Sequence, residues 1–200
     1  MNQPISHRTE PTNNPEQGVR PFGSHESGFD TDPAHVLARS VLKTMQVVKD
    51  ELSRQSELKQ RVVSAHNDDG SHAAYLSSHL EGAGTIAGWS VTYKEIVTSI
   101  ANAVGTNVFL EKGKEKLVLS TSEDMLYAQS YVDAEIYMTS DDSAKPDILC
   151  QTVSVNSLSP MENNPCHVVA EYPKVPVLTP GEILASVTAR VEEIRQELEA

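Results

Sequence analysis

The sequence predicts an α+β fold: a mostly antiparallel sheet flanked by amphipathic helices, with a long N-terminal helix, a C-terminal helix and an extended N-terminal arm. Three observations predict it. Residues near both ends of the ordered chain carry apolar side chains at alternating three- and four-residue spacing, the mark of a helix with one apolar stripe. Between them stand short β-rich segments joined by hairpin-sized links rather than strand–helix–strand crossovers. The first 32 residues are rich in Pro, Asn, Gln, Ser and Gly, with too little apolar surface to offset the entropy of ordering them.

The organisation that follows is an extended or disordered arm over 1–32, a helical segment with a polar joint over 33–84, and an α+β core over 85–200 that ends in the C-terminal helix. Phe22 and Phe29 are the only aromatic residues of the arm and its candidate anchors. Asp32 is a good N-cap and Pro33 suits the first helical position. From there Ala38, Val41, Met45, Val48 and Leu52 form a stripe, broadened by Leu37, Leu42 and Val47. The pattern weakens at Gln55 and resumes at Leu58, Val62 and Val63, which extends the helical reading.

The stretch SAHNDDGSHAAYLSSHLEGAG, Ser64 to Gly84, holds His66, His72 and His79 with Asp68, Asp69 and three glycines. Asn67 to Gly70 is a turn cluster. A short helix is expected from Ser71 to about Leu80, ended by Gly82 and Gly84. After Trp89, Thr92 and Glu95 have capping-box spacing, and Tyr93, Ile96, Val97, Ile100, Ala101 and Val104 predict a further helix closed by Gly105. Asn107–Lys112 and Lys116–Thr121 read as a hairpin around Gly113-Lys114, with a local helical turn near Thr121. Tyr131 to Met138 alternates: Val132, Ala134, Ile136 and Met138 share one face, and Tyr131, Asp133, Glu135 and Tyr137 the other. Asp147–Asn156 and His167–Tyr172 read as strands, and Pro173 and Pro176 discourage further pairing. Thr179-Pro180-Gly181-Glu182 combines a second capping box with Pro at the first helical position. Leu184, Val187, Val191, Ile194 and Leu198 follow as a narrow seam, suited to the chain's own core or to a helix of another subunit.

Several function classes lose their signature. Sixteen basic against 28 acidic residues give a formal net charge of −12, and no Lys/Arg cluster is present, so a phosphate-backbone partner is not expected. No apolar run approaches the roughly 20 residues that cross a bilayer, and the N-terminus lacks the apolar stretch of a secretory signal. Cys150 and Cys166 stand outside any C-x-x-C motif and fit a reduced, cytoplasmic chain. His72 and His79 are seven apart, about 10 Å along a helix, which is too far for one zinc ion. Placing Gly70 at the sixth position of an EF-hand loop puts Ala65 first and Leu76 twelfth, where carboxylates are required. The G-x-G-x-x-x-G run over 82–88 lacks the preceding strand of a dinucleotide site. Gly88-Trp89-Ser90 lacks the second glycine of G-x-S-x-G, because Thr92 stands there. Cys150 with His167, and Asp133 with Glu135, are generic pairs that alone specify no chemistry.

These readings point to a non-enzymatic structural, assembly or adaptor protein, such as a subunit of a large homomeric or viral particle assembled in the cytoplasm. Expected partners are proteins, including further copies of the chain, with no nucleic acid, membrane, metal or cofactor. Its candidate contacts are Phe22, Phe29, Tyr131, Tyr137, Leu184, Val187, Val191, Ile194 and Leu198. Two alternatives stand beside it: a small acidic binding module or chaperone for basic or unfolded segments, and an enzyme with a His/Asp site at 66–79.

Overall fold

A computed structural model describes residues 32–65, 75–98, 103–124, 129–140, 146–158, 167–169 and 178–200. Helix α1 spans Pro33–Arg54 and helix α2 spans Pro180–Glu199. Between them run β1 (Lys59–Ala65), β2 (Tyr75–Ile86), β3 (Trp89–Thr98), β4 (Val104–Lys112), β5 (Glu115–Asp124), β6 (Gln129–Met138), β7 (Ile148–Leu158) and the three-residue β8 (His167–Val169). All pair antiparallel in chain order, β1 to β8, as one meander.

Both helices begin where the sequence places them. The Asp32 carboxylate accepts from the Ala34 amide at 3.0 Å, and Pro33 supplies the first helical residue. Thr179 and Glu182 cap each other's backbone at the start of α2. The stripe of α1 buries Leu37, Val41, Met45, Val48 and Leu52, and α2 buries Ile183, Leu184, Val187, Val191, Ile194 and Leu198. The two stripes pack on each other and on one face of the sheet. The C-terminal seam is therefore internal. Leu184, Val187, Val191, Ile194 and Leu198 are at most 8 % exposed, so the expectation that they touch a partner is corrected by burial in the chain's own core.

The register arranges the covered face in rungs. Gly82, Tyr93, Val108, Leu119, Ala134 and Val153 lie side by side on successive strands, and Gly84, Val91, Leu110, Leu117 and Ile136 form the next rung. Trp89 is fully buried at the end of β3. Its indole donates to Glu197 at 3.0 Å, with Lys112 above the ring and Arg190 holding Glu115 through two hydrogen bonds. These contacts clamp α2 to the ends of β3, β4 and β5.

The segment over 33–84 departs from its predicted helical character. Helix α1 stops at Arg54, Leu58 to Val63 leads into β1, and the residues expected as a short helix contribute instead to β2, from Tyr75. Ser71 to Ala74 and the histidines His66 and His72 lie outside the described residues. The helix predicted from Thr92 is strand β3, and β5 continues as strand through Asp124 where a helical turn was expected. β-Branched and aromatic residues crowd this region, and Trp89, Val91 and Tyr93 alternate inward, so a period of two competes with the helical spacing and pairing on both sides decides it.

Gly82 and Gly84 do not end a helix; they let the end of α1 approach β2. A Cβ at Gly82 would sit 2.9 Å from the Glu57 carbonyl oxygen, and one at Gly84 3.0 Å from the Leu52 side chain. Ala87 and Gly88, both with positive φ, form the two-residue turn joining β2 to β3.

Candidate functional site

The other face of the sheet carries no described element. Its rungs read Arg61–His79–Ile96–Gly105–Ser122–Tyr131–Asn156, Glu81–Lys94–Asn107–Ser120–Asp133–Ser154, Ala83–Thr92–Phe109–Val118–Glu135–Thr152 and Ser90–Glu111–Lys116–Tyr137. Tyr131 and Tyr137 thus stand with Asp133 and Glu135 on the face predicted from their alternation, turned away from both helices. Phe109, Val118, Tyr131 and Tyr137 are half-buried among their neighbours, and Ile96 is exposed.

Polar groups fix several of these side chains. Tyr137 donates to Glu135 at 2.7 Å, and burial, with that carboxylate close behind, pushes the phenol up to about 12. Lys116 lies over the Tyr137 ring at 5.8 Å and reaches Asp147 at 3.0 Å. Its hydrogen bond holds the Asp147 carboxyl below the ordinary range. Toward β1, Arg61 meets Glu81 at 3.2 Å. Burial would raise the Glu81 carboxyl, but the Arg61 hydrogen bond and charge, helped by His79 and Lys94, hold it low.

His79 is the one histidine of the 66–79 window that the structure describes. It lies on β2 between Ser77 and Glu81, all on the open face. Ser77 Oγ is 2.9 Å from His79 Nε2, and His79 Nδ1 is 3.6 Å from Glu81 Oε1 without a hydrogen bond. The order Ser–His–Glu resembles that of an acyl-transfer triad, yet two features argue against that chemistry. Glu81 is already engaged by Arg61, and the β2 amides beside Ser77 lie within the ladders with β1 and β3, so among the described residues no backbone donors are set there to stabilise an oxyanion. The other candidate pair also separates: β8 places His167 opposite Ser154 rather than Cys150. Cys150 is a half-buried free thiol, and Cys166 lies outside the described residues. Among the described residues no group of three His, Cys, Asp or Glu side chains could hold a metal ion. A depression beside β1 to β3 is lined by Lys59, Arg61, Glu81 and Lys94, charges of both signs that largely face one another.

Phe22 and Phe29 lie outside the described residues. Phe109, Val118 and Ile96 escaped the sequence reading. Val108, Phe109 and Leu110 are consecutive apolar residues, so their pattern does not say which face each takes, and Ile96 stands at helical spacing from Tyr93 and Ile100. No described helix is long and apolar enough to cross a membrane. No family model, curated protein or solved structure matches this chain.

Proposed function

We propose that the protein is a non-enzymatic binding or assembly protein that holds a protein partner against the open face of its sheet. The observation that supports this reading is the asymmetry of the meander: eight strands, both helices on one side, and Phe109, Val118, Tyr131 and Tyr137 on the other. Aromatic residues set among polar ones are what protein contact surfaces favour. A uniformly acidic client-binding surface, the chaperone alternative, fits this face less well, because Lys59, Arg61 and Lys94 gather on its β1–β3 side. The cytoplasm, suggested by the cysteine usage, and a particle-forming role, which no single residue demands, remain part of the proposal.

Hydroxyl-radical footprinting tests it. In native extract, Phe109, Tyr131 and Tyr137 should be modified several-fold more slowly than in the purified chain at high dilution, whereas exposed Leu42 on α1 should not change. Equal rates at the three aromatic residues, or protection at Leu42 alone, would overturn the reading.

A further inference from the structure

We infer that the partner on the open face is a second copy of this chain, stacked face to face about a two-fold axis that runs parallel to the strands between β4 and β5. The inference rests on the open-face reading and adds the identity and orientation of the occupant.

Charge is distributed unevenly across the strands. Among the described strand residues of this face, the β1–β3 flank carries Lys59, Arg61 and Lys94 against Glu81, with Glu57 of the α1–β1 link lining the same depression. The β6 flank carries Asp133 and Glu135. Two sheets stacked face to face can be related by a two-fold axis across the strands or along them. An axis across the strands lays β1 on β1, so each flank meets its own sign. An axis along the strands reverses strand order and keeps the level along each strand, so β3 lies over β6 and β4 over β5 of the second copy. Like charges oppose the first arrangement, and complementary potentials favour the second.

The rungs agree with that choice one by one. Lys94 and Asp133 occupy the same rung, on β3 and β6, so the axis sets each over the other's counterpart. On the next rung Phe109 faces Val118 of the second copy. One rung the other way, Ile96 faces Tyr131. At the far end Glu111 faces Lys116. One apolar pair thus meets along the axis and another at its sides, and opposite charges likewise meet both along it and at its sides. Sheets packed this way cross at about 30° and sit about 10 Å apart, which half-buried aromatic side chains can fill. At ordinary spacings an eight-stranded face measures about 30 Å by 30 Å, or roughly 900 Å². Standard interfaces bury about 800 Å² on each partner. The face is therefore large enough for a stable dimer, giving a helix–sheet–sheet–helix particle.

Light scattering after size exclusion, on the full chain, tests this with a charge swap. The wild type should elute at twice the chain mass. Lys94→Asp and Asp133→Lys should each halve that mass, because each sets like charges together at both symmetry-related contacts. The double variant Lys94→Asp/Asp133→Lys should regain the dimer, which neither misfolding nor an indirect effect would produce. Circular dichroism of the single variants checks that they stay folded. A wild type of single-chain mass at all concentrations overturns the second copy as occupant but leaves the open face to another protein, which the footprinting reads separately. A dimer indifferent to both reversals and to Phe109→Asp overturns this arrangement and shows self-association through another surface. Failure of the double variant to re-form the dimer overturns the strand-parallel axis.

Discussion

Val118 and Leu119 are neighbours in sequence and occupy opposite sides of β5. Leu119 is fully buried beneath the helices, between Val108 and Ala134, whereas Val118 is half-buried on the open face between Phe109 and Glu135. The same division runs through Phe109 and Leu110 on β4. Tyrosine–glutamate pairs two residues apart repeat it: Tyr93 donates to Glu95 on the helix side and Tyr137 to Glu135 on the open side, both at 2.7 Å. One face is therefore a core, closed within a single chain, and the other is built from similar residue types with nothing described upon it. Residue type alone does not distinguish a core from a contact surface; what covers it does.

Truncation on the two sides of β5 should separate the two faces most. Leu119→Ala should lower the unfolding free energy by about 2–5 kcal/mol, because it leaves a cavity among packed neighbours. Val118→Ala should cost under about 1 kcal/mol in the isolated chain. Denaturant midpoints measure both, and equal losses would mean that the open face is already covered in the free protein.

A smaller effect is expected where α1 meets the sheet. Gly82→Ala should cost about 1–3 kcal/mol, since the new methyl meets the Glu57 backbone. Gly84→Ala should cost less, because the atoms nearest it, at 3.0 Å, are side-chain ends of Leu52 and the exposed Gln55 rather than backbone. Thermal unfolding of the pair orders them, and the reverse order would show that the α1–β1 link yields more readily than the helix end.

The smallest effect concerns acid. Burial raises the Glu95 carboxyl, but hydrogen bonds from Lys49 and Tyr93 outweigh it and leave the group below its ordinary 4.5. A carboxylate whose folded value is depressed adds stability that is complete above its unfolded value and is lost as pH falls through the folded one. Glu95→Gln should therefore cost about 1 kcal/mol near neutrality, the low end for a hydrogen-bonded charge because the site is partly wet. The gap from wild type should be complete at neutral pH and shrink as pH falls below the ordinary carboxylate value of 4.5 toward the lower folded one. A pH-independent gap in urea unfolding would assign the loss to packing instead of charge.

How much was legible is shown best by the two capping-box signatures. Thr179-Pro180-Gly181-Glu182 caps α2 as its spacing requires, and Asp32-Pro33 opens α1. Thr92 and Glu95 have the same spacing but lie in β3, where Glu95 serves Lys49 and Tyr93. At residues 92–95 the local signal was outweighed by two neighbouring strands that a sequence window does not contain. Tyr131 and Tyr137 were correctly placed on one face because β6 alternates cleanly. Phe109 was not, because its neighbours on both sides are apolar as well.

By itself the sequence determined where the two helices begin, the β4–β5 hairpin and the alternation of β6, all of which arise from contacts within a few residues. The tertiary structure alone decided that Gly82 and Gly84 belong to a strand, that the two helical seams close on each other, and that the Tyr-bearing face stays uncovered by described residues. Each of these depends on which distant segment lies alongside, and burial is a property of that neighbour as much as of the residue itself.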